Sequence, residues 1–377
     1  MRILHVVPTY LPATRYGGPI YSVHGLCRAQ AARGDEPHVF TTNVDGAGVS
    51  DVPLGVTVTM DDVRIRYFAC GAGRRVYRSP DMARALEQHM DDFDIVHLHS
   101  VFLWPIWAAA KAAHIRSRPY VLSPRGMLSP ELIHAKSRLV KSVWIALFGR
   151  ELIANAAAIH VTSEGEKADI QRLGLPNRQC AVIPNGVELP DRLCNAGAAD
   201  ARMVLSLGRI SWKKGLDRLI CAFAYAPSGE LVIAGNDDEA LTPKLRALAQ
   251  SLGLAERVRF VGAIHGAEKF ALMQQASLFA LASHSENFGN AVLEAMACGV
   301  PVVVTPQVGV AEHVASFGAG LVVDGDPSAF GPALASLLAD PARRRAFGDA
   351  GRDAAQQRFS WPHVAELMND LYRTALA

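Results

Sequence analysis

The chain has 377 residues, enough for two domains of ordinary size, and half of the residues are hydrophobic. Its formal net charge of +2 excludes the wholesale attraction to nucleic acid that a strongly basic protein shows. The six cysteines form no CxxC pair and no zinc-ligand spacing, so we expect reduced thiols in a cytosolic protein.

Short apolar runs alternate with helical patterns along almost the whole chain. The runs are rich in Val, Ile and Leu without polar alternation, which is typical of parallel strands covered by helices on both faces. The pattern predicts two doubly wound α/β domains, with ligands bound in a cleft at the carboxyl ends of the strands. The predicted strands are Ile3–Val7, His38–Thr42, Ile65–Phe68, Ile95–Leu98, Tyr120–Ser123, Ala158–Thr162, Ala181–Ile183, Met203–Leu207, Leu231–Ala234, Val258–Val261, Leu278–Leu281, Val302–Val304 and Gly320–Val323.

A polar stretch without clear periodicity separates the two domains. It follows turn residues near position 185 and precedes the strand that begins at Met203. We expect an N-terminal domain at 1–185, a linker at 186–201, a C-terminal domain at 202–358 and a closing helix at 359–377.

Two glutamates eight positions apart, Glu286 and Glu294, flank the start of a predicted helix. Glu286 lies in a polar loop and Glu294 about one turn inside the helix. Backbone N–H groups at a helix start bind anions, and carboxylates accept hydrogen bonds from hydroxyl groups. A phosphate with sugar hydroxyls therefore matches the site, although the helix dipole also favours acidic residues there without a ligand.

A basic loop follows the strand Met203–Leu207 and leads into a helix start at Gly215. It contains the glycine turn Gly208 and the cations Arg209, Lys213 and Lys214. Cations at a helix N-terminus oppose the helix dipole, so a phosphate pocket explains their position. A solvated basic loop is the alternative.

These motifs resemble those of the GT-B glycosyltransferases of the large retaining family 4. The family carries a Gly-Arg…Lys-Gly diphosphate loop, matched at 208–215, and a Glu-x7-Glu motif, matched at 286–294. Further matches cover essentially the whole chain: Ile183-Pro-Asn-Gly-Val187, Phe260-Val-Gly262, Glu294-Ala-Met-Ala-Cys-Gly-Val-Pro-Val302 and Phe359-Ser-Trp361. The resemblance implies two Rossmann-like domains facing a cleft, the first binding the acceptor and the second the nucleotide sugar. The C-terminal helix would cross back to the first domain.

The resemblance also implies roles for residues of the second domain. Arg209 and Lys214 would hold the donor diphosphate as a leaving group. Glu286 would bind the donor sugar, and Glu294 the ribose. The other implied donor contacts are Gly208, Val261, Gly262, Asn287, Phe288, Gly289 and Asn290, with Val261 and Gly262 beside the base.

In the first domain, Gly17 and Gly18 follow the first strand. Glycines there let backbone N–H groups approach a phosphate, and the family uses this loop near the diphosphate. A plain strand-to-helix turn is the alternative. Tyr16 and Arg125 are further candidates for contact with the acceptor or a phosphate, since Arg125 lies in a loop that resembles one in transferases of bacterial surface polysaccharides.

Two histidines, His97 and His99, come at the end of the strand Ile95–Leu98 and point to the same side by strand alternation. A buried structural histidine is the ordinary interpretation of each. The resemblance assigns His99 to the donor sugar, and we expect His97 to be structural.

The mechanism implied by the resemblance is transfer with retention at the anomeric carbon. The acceptor hydroxyl would attack on the face that the diphosphate leaves, so positioning and stabilisation of the leaving group dominate catalysis. We expect no cofactor and no metal, because the arginine–lysine clamp supplies the positive charge. We interpret Asp324-Gly-Asp326 as a helix cap at Asp326 rather than a metal site.

A basic segment in the first domain suggests a membrane surface. Between Lys111 and Arg150 there are eight Lys/Arg and one acid, and residues 136–148 alternate cations with apolar residues. Such a helix lies on anionic membranes; a surface helix with its apolar face in the core is the alternative. The N-terminal apolar run stops at Pro8, too early for a signal peptide, and no stretch reaches the about 18 apolar residues of a spanning helix. We expect a cytoplasmic protein, peripheral on the inner face of the cytoplasmic membrane.

The expected function is retaining, metal-independent transfer of a hexose from a UDP- or GDP-sugar to a glycan acceptor. The acceptor would be a polyprenyl-diphosphate-linked intermediate of exopolysaccharide, capsule or O-antigen synthesis. The alternatives are a sugar-nucleotide epimerase of the same fold and a non-catalytic nucleotide-sugar-binding subunit. The intact set of Arg209, Lys214, Glu286, Glu294 and His99 favours the transferase.

Overall fold

The computed structural model describes residues 1–13, 17–130, 133, 138–175, 178–190 and 202–377. The chain forms two compact units, the first from Met1–Gly186 with Trp361–Ala377 and the second from Val187–Ser360. The closing helix therefore belongs to the first unit and spans Trp361–Leu376. Residues 191–201 of the predicted linker lie outside the described residues.

The first unit is built on a mostly parallel sheet. Its strands are β1 (Arg2–Thr9), β2 (Glu36–Thr42), β3 (Val44–Asp45), β4 (Gly48–Val49), β5 (Thr57–Met60), β6 (Val63–Phe68), β7 (Ile95–His99), β8 (Tyr120–Ser123), β9 (Ala158–Val161) and β10 (Cys180–Val182). Apart from the β3–β4 pair, they form one sheet in the order β10-β9-β8-β7-β1-β2-β6-β5. Only the pairing of β5 with β6 is antiparallel within this sheet of described strands.

The strands predicted from apolar runs are present, with ends within two residues of the prediction. The three that the sequence did not indicate are β3, β4 and β5. β3 and β4 are two residues long, and β5 alternates between exposed and partly buried positions at the sheet edge. Uninterrupted apolar runs indicate strands that are buried on both faces, so they do not reveal short or partly exposed strands such as these.

Helices cover this sheet, and the C-terminal helix packs beside the first of them. The helices are α1 (Gly18–Ala32), α2 (Pro80–His89), α3 (Trp104–Ile115), α4 (Arg138–Trp144), α5 (Arg150–Ala154) and α6 (Glu164–Arg172). A π-helical turn at Ile145–Gly149 joins α4 to α5, and 3-10 turns lie at Arg74–Val76 and Met90–Asp92. The Trp361 indole lies over Gly25 and Gly186, where an added Cβ would come within 2.3 Å of the ring. Glycine at both positions makes room for this tryptophan.

The second unit has an all-parallel sheet between helices. Its strands are β11 (Met203–Leu207), β12 (Glu230–Ala234), β13 (Val258–Gly262), β14 (Leu278–Leu281), β15 (Val302–Val304) and β16 (Gly320–Val322), in the order β13-β12-β11-β14-β15-β16. Its helices are α7 (Leu216–Phe223), α8 (Thr242–Ser251), α9 (Gly266–Gln275), α10 (Asn290–Ala297), α11 (Ala311–Phe317), α12 (Pro327–Ala339) and α13 (Pro341–Arg358), with 3-10 turns at Trp212–Lys214 and Ala255–Arg257. The order reverses beside β11, so the carboxyl ends of β11 and β14 frame the crevice where such sheets bind ligands.

Two local predictions can be checked directly. Asp326 caps α12, because its carboxylate accepts a hydrogen bond from the backbone N–H of Ser328 at 2.8 Å, and Asp324 accepts from the N–H of Asp326 at 2.8 Å. The predicted cap is confirmed. The cysteines are free at the described positions Cys27, Cys70, Cys180, Cys221 and Cys298, and Cys194 lies outside the described residues.

The predicted amphipathic segment 136–148 is described only in part. Residues 136 and 137 lie outside the described residues, and α4 begins at Arg138. Trp144 and Ile145 pack toward the core, whereas Val143, Leu147 and Phe148 are 55%, 64% and 38% exposed. The segment thus has both a core-facing side and an apolar exposed side. None of the described helices is long and apolar enough to cross a membrane.

Candidate functional site

The basic loop after β11 is shaped by glycines at points of close approach. Gly208 has a φ of +146°, and an added Cβ would lie 3.1 Å from the Lys214 ammonium. Gly215 is left-handed at φ +58°, and its Cβ would come within 2.1 Å of the Ala282 carbonyl oxygen. The sequence at these positions therefore lets the loop fold against the end of β14 and brings Lys214 back over Gly208.

The Lys214 ammonium forms an ion pair with the Glu286 carboxylate. The two side chains are 17% and 22% exposed, so solvent screens this pair less than a surface pair. The loops that carry them are also joined through the backbone, since His284 N–H donates to the Lys213 carbonyl at 2.7 Å. Two residues predicted separately from sequence are thus in direct contact.

The loop after β14 is held in one conformation by the segment 307–310. Glu286 N–H donates to the Gln307 carbonyl at 3.0 Å, and Val310 N–H donates to the Phe288 carbonyl at 2.8 Å. Gly289 is left-handed at φ +100° and ends this loop at the start of α10. No side chain caps α10 among the described residues, and its first turn has no acidic residue. Such a helix start binds anions through its backbone N–H groups.

Glu294 lies on α10 and is paired with a lysine that sequence reasoning missed. The Lys269 ammonium, on α9, lies 2.7 Å from the Glu294 carboxylate. The sequence offered no signal for this contact, because Lys269 belongs to none of the motifs and lies 25 positions from its partner. Each of the two glutamates therefore forms an ion pair with one lysine.

The remaining predicted residues of the second unit lie at the ends of strands β11 and β13. Arg209 is exposed, and its side chain has no hydrogen bond or ion pair within the described ranges. Val261 is partly buried, and Gly262 is left-handed and exposed at the end of β13. The Gly262 carbonyl accepts from Gly235 N–H at 2.7 Å. The arrangement offers cations and helix N–H groups to phosphates, and carboxylates to hydroxyl groups.

In the first unit, the predicted glycine loop opens α1. Gly17 is the helix N-cap at φ +68°, and an added Cβ would meet nothing within 4 Å. Its backbone conformation, rather than crowding, therefore favours glycine. Gly18 begins the helix, and Tyr16 lies outside the described residues.

The predicted histidines belong to a buried hydrogen-bond chain that crosses strands β1, β7 and β8. Strand register sets His5 beside His97 and His99 beside Ser123. Arg125 Nη2 lies 3.1 Å from His99 Nδ1, and His99 Nε2 lies 3.0 Å from His5 Nδ1. His5 Nε2 continues to Gln30 Oε1 at 2.9 Å.

The chain continues through the C-terminal helix and returns to the sheet. Gln30 Nε2 lies 3.4 Å from the Tyr372 hydroxyl, which lies 2.6 Å from His97 Nδ1. His97 Nε2 lies 2.6 Å from the Ser123 hydroxyl. A residue 275 positions along the sequence therefore contacts His97 directly.

The two ends of the chain set the direction of every hydrogen bond in it. Ser123 Oγ lies 2.7 Å from His160 Nδ1, and His160 Nε2 donates to the Ile183 carbonyl at 2.9 Å. A carbonyl can only accept and the Arg125 guanidinium can only donate. With neutral histidines, all hydrogens therefore point from Arg125 toward Ile183, and each ring is a single tautomer with its hydrogen on Nε2.

Burial keeps these histidines neutral. It lowers the pKa of His5 to about 4 and that of His160 to about 3, and the nearby Arg125 charge acts in the same direction. The pKa values of His97 and His99 lie well below 6.5 for the same reason. An added proton would also place two donors face to face in the chain.

His5, His97 and His99 lie close enough to suggest a metal site, with ligand atoms within 4.8 Å of one another. However, both ring nitrogens of each histidine are already engaged in the chain. A metal ligand needs a free nitrogen lone pair, and the Arg125 charge opposes a cation. We therefore interpret the cluster as a hydrogen-bond network.

Arg125 occupies a left-handed conformation at φ +57° and is partly buried. Its Nη1 donates to Asn185 Oδ1 at 2.9 Å, whereas its buried Nε has no hydrogen-bond partner among the residues that the structure describes. The next residue, Gly126, donates its N–H to the buried Glu166 carboxylate at 2.5 Å. Arg125 is thus a guanidinium whose hydrogen bonds go to two neutral groups, whereas His99 is 1% exposed with both nitrogens engaged.

Replacing Tyr372 with phenylalanine is expected to lower the free energy of unfolding of the first unit by about 1–3 kcal/mol, because His97 Nδ1 and the Gln30 amide would be buried without a partner. Urea unfolding followed by tryptophan fluorescence tests this, since four of the five tryptophans (Trp104, Trp107, Trp144 and Trp361) belong to this unit. Tyr225→Phe, which removes a 49% exposed phenol from the second unit, is the control. Equal stability of the Tyr372 variant and the wild type would contradict the network.

Family comparisons cover both units. Residues 17–186 match the family "Glycosyl transferase 4-like domain", and residues 195–354 match "Glycosyl transferases group 1". The chain is 30% identical over 318 residues to alpha-maltose-1-phosphate synthase of Mycolicibacterium smegmatis, covering 75% of this chain and 79% of that protein. It is 27% identical over 392 residues to GDP-mannose:cellobiosyl-diphosphopolyprenol alpha-mannosyltransferase of Xanthomonas campestris, covering 100% of this chain and 97% of that protein.

Solved structures share the fold. The Anabaena protein HepE in complex with UDP-glucose matches with a TM-score of 0.75 and 21% identity, over 99% of this chain and 100% of that chain. At this identity the likeness concerns the fold alone, two Rossmann-like sheets of parallel strands. Together with the two family matches, it leads to one conclusion: the chain belongs to the group 1 glycosyltransferases, enzymes with the GT-B fold.

Proposed function

We propose that the protein is a retaining, metal-independent hexosyltransferase that uses a nucleoside diphosphate sugar as donor. The observation that carries the proposal is the Lys214–Glu286 pair beside the start of α10, which no described side chain caps. This combination offers a cation, a carboxylate and backbone N–H groups around one loop. A diphosphate and a sugar supply the anion and the hydroxyl groups that these groups bind.

In this proposal Lys214 and Arg209 bind the diphosphate, Glu286 the sugar and Glu294 the ribose. Gly208 and the 287–290 loop bring backbone groups to the phosphates and the sugar, and Val261 and Gly262 lie beside the base. The X. campestris relative is named for GDP-mannose, and the HepE structure contains UDP-glucose. Both bases therefore belong in any test of the donor.

The chemistry proposed needs no enzymic nucleophile. The acceptor hydroxyl attacks the anomeric carbon on the face that the diphosphate leaves, and the departing phosphate takes its proton. Lys214 and Arg209 stabilise the charge that develops on the leaving group. Glu286 is paired with Lys214 and is thereby oriented for hydroxyl groups rather than for covalent attack.

For the first unit we propose that Gly17 and Gly18 contact the donor, and that Arg125 and Tyr16 contact an acceptor phosphate. The donor contact expected of His99 does not fit its burial, because the side chain is 1% exposed and both ring nitrogens are engaged, so we propose that His99 positions Arg125 instead. The Arg125 guanidinium has only neutral hydrogen-bond partners, Asn185 and His99, and such a charge suits a phosphate oxygen. The X. campestris relative is named for a diphosphopolyprenol acceptor. We propose a polyprenyl-diphosphate-linked glycan of polysaccharide synthesis as the acceptor here.

We further propose that the exposed apolar side of residues 143–148 rests on an anionic membrane. Leu147 and Phe148 are exposed there, and the Lys111 ammonium lies over the Trp107 ring that contacts Phe148. Apolar side chains flanked by cations bind anionic bilayers. Flotation with phosphatidylglycerol vesicles at low salt should recover the wild-type protein in the lipid fraction, whereas the Leu147→Glu variant should stay in the protein fraction without lipid. Equal recovery of both proteins, or recovery of neither, would contradict the proposed membrane contact.

A thermal-shift panel of UDP-, GDP- and ADP-sugars tests the donor proposal. At a concentration of 100 times its Kd, the correct donor should stabilise the fold by about 2.7 kcal/mol. The donor identified is then incubated with lipid-linked glycans, and product formation separates an enzyme from a binding subunit. If no nucleotide sugar raised the melting temperature, the proposed function would be wrong.

A further inference from the structure

The Lys269–Glu294 pair joins two helices at the site where the proposed function puts the ribose. The ammonium nitrogen of Lys269, on α9, lies 2.7 Å from Oε1 of Glu294, on α10. The two side chains are 19% and 20% exposed. By contrast, the Arg259–Glu230 pair of the same unit is 55% and 40% exposed.

The surroundings of Lys269 restrict its position. Its ammonium lies 4.9 Å from the centre of the Phe270 ring, and Phe270 packs against the core of the second unit. A cation in this position is stabilised by the face of the aromatic ring as well as by the carboxylate. The pair is therefore a built contact between two helices rather than a mobile surface contact.

The contact engages only one of the two carboxylate oxygens. Oε1 of Glu294 accepts from Lys269, and within the described parts of the chain no other side chain or backbone group bonds this carboxylate. Oε2 keeps its lone pairs for a ligand. A carboxylate fixed through one oxygen presents the other in a defined direction, which lowers the entropy lost when a ligand binds.

We propose that Lys269 is a positioning residue that orients Glu294, so that Oε2 accepts hydrogen bonds from the ribose hydroxyls of the donor. The inference rests on the proposed function, which assigns the ribose to Glu294. It adds that recognition of ribose depends on a residue that does not touch the nucleotide. Without the ammonium, the carboxylate rotates among its rotamers and no longer distinguishes a ribose from a sugar without hydroxyls.

The test compares nucleotides with and without these hydroxyls. Dissociation constants of UDP, GDP, ADP and their 2′,3′-dideoxy counterparts are measured by calorimetry for the wild type, Lys269→Met and Lys244→Met. Lys244 is exposed on α8, so its replacement makes the same charge change away from the pair. We expect the wild type to prefer the ribonucleotide by roughly tenfold or more, as for a hydrogen bond to a charged group. Lys269→Met should lose most of that preference and bind the dideoxynucleotide within about twofold of the wild type, whereas Lys244→Met should match the wild type.

The outcomes separate this inference from the proposed function. An unchanged preference in Lys269→Met, or an equal loss of affinity for both nucleotides, would overturn the positioning role while leaving the donor site intact. Rescue of the preference by Lys269→Arg, which keeps a charged donor, would support it. If the wild type bound none of UDP, GDP and ADP, the proposed function would fail first and the inference with it.

Discussion

Replacing Lys214 with methionine is expected to lower kcat by about two to three orders of magnitude, the effect of removing one donor that stabilises developing charge. The Lys214 side chain is only 17% exposed and its ammonium is held over Gly208, so the charge is pre-organised for an oxygen of the leaving group. Losing it also leaves the Glu286 carboxylate without its cation. Initial rates with the donor and acceptor identified above measure the effect.

Two variants show whether the loss comes from the leaving group. Lys244→Met makes the same charge change on the exposed side of α8 and should keep the wild-type rate. Glu286→Gln keeps Lys214 but weakens the contact with the sugar, so it should affect KM for the donor as well as kcat. A Lys214→Met enzyme within about tenfold of the wild-type kcat would rule out the proposed role.

The first unit is expected to lose most of its stability as the pH falls below about 6.5, the ordinary pKa of histidine. The buried histidines His5, His97, His99 and His160 have lowered pKa values in the fold. Below pH 6.5 the unfolded chain therefore binds more protons than the folded chain, and the free energy of unfolding falls as pH falls. Each histidine contributes up to about 1.4 kcal/mol per pH unit, until its folded pKa is reached near 4 for His5 and near 3 for His160.

Four such histidines would together lower the free energy of unfolding by about 5 kcal/mol per pH unit, whereas a typical domain has a free energy of unfolding of about 5–15 kcal/mol. The half-buried His38, with a pKa lowered to about 4 by burial and nearby arginines, adds to the slope. Urea unfolding by tryptophan fluorescence between pH 8 and pH 5 measures it. His160→Gln should reduce the slope by about one proton. A stability that stays constant across this range would mean that the histidines titrate normally.

Local patterns in the sequence carried much of the fold and part of the site. Buried strands such as Tyr120–Ser123 are visible as uninterrupted apolar runs because both of their faces are covered. The helix cap at Asp326 is a short-range hydrogen bond between neighbours, so its residues identify it. Gly208 lies in one loop, and Glu286 and Glu294 lie in one loop and the helix that follows it, so these residues could also be identified from the local sequence.

The partners of those residues depend on contacts between distant segments. Nothing near Glu294 in the sequence indicates Lys269, because packing of α9 against α10 brings them together. His99 was predicted to contact the donor sugar on its own. In the structure, hydrogen bonds through His5 and Gln30 link it to Tyr372, because strand register and the packing of the C-terminal helix bring these residues together. Edge strand β5 was missed because partial exposure removes the apolar signal.

The two α/β units, the family and the loops proposed to bind phosphate and sugar could all be inferred from the amino-acid sequence, because each depends on residues close together in the chain. The pairing of each glutamate with its lysine, and the nitrogen that carries the hydrogen in each buried histidine, became apparent from the three-dimensional fold. The physical reason is that sheet register and helix packing set these distances, and a buried polar group must find its partner wherever the fold brings one.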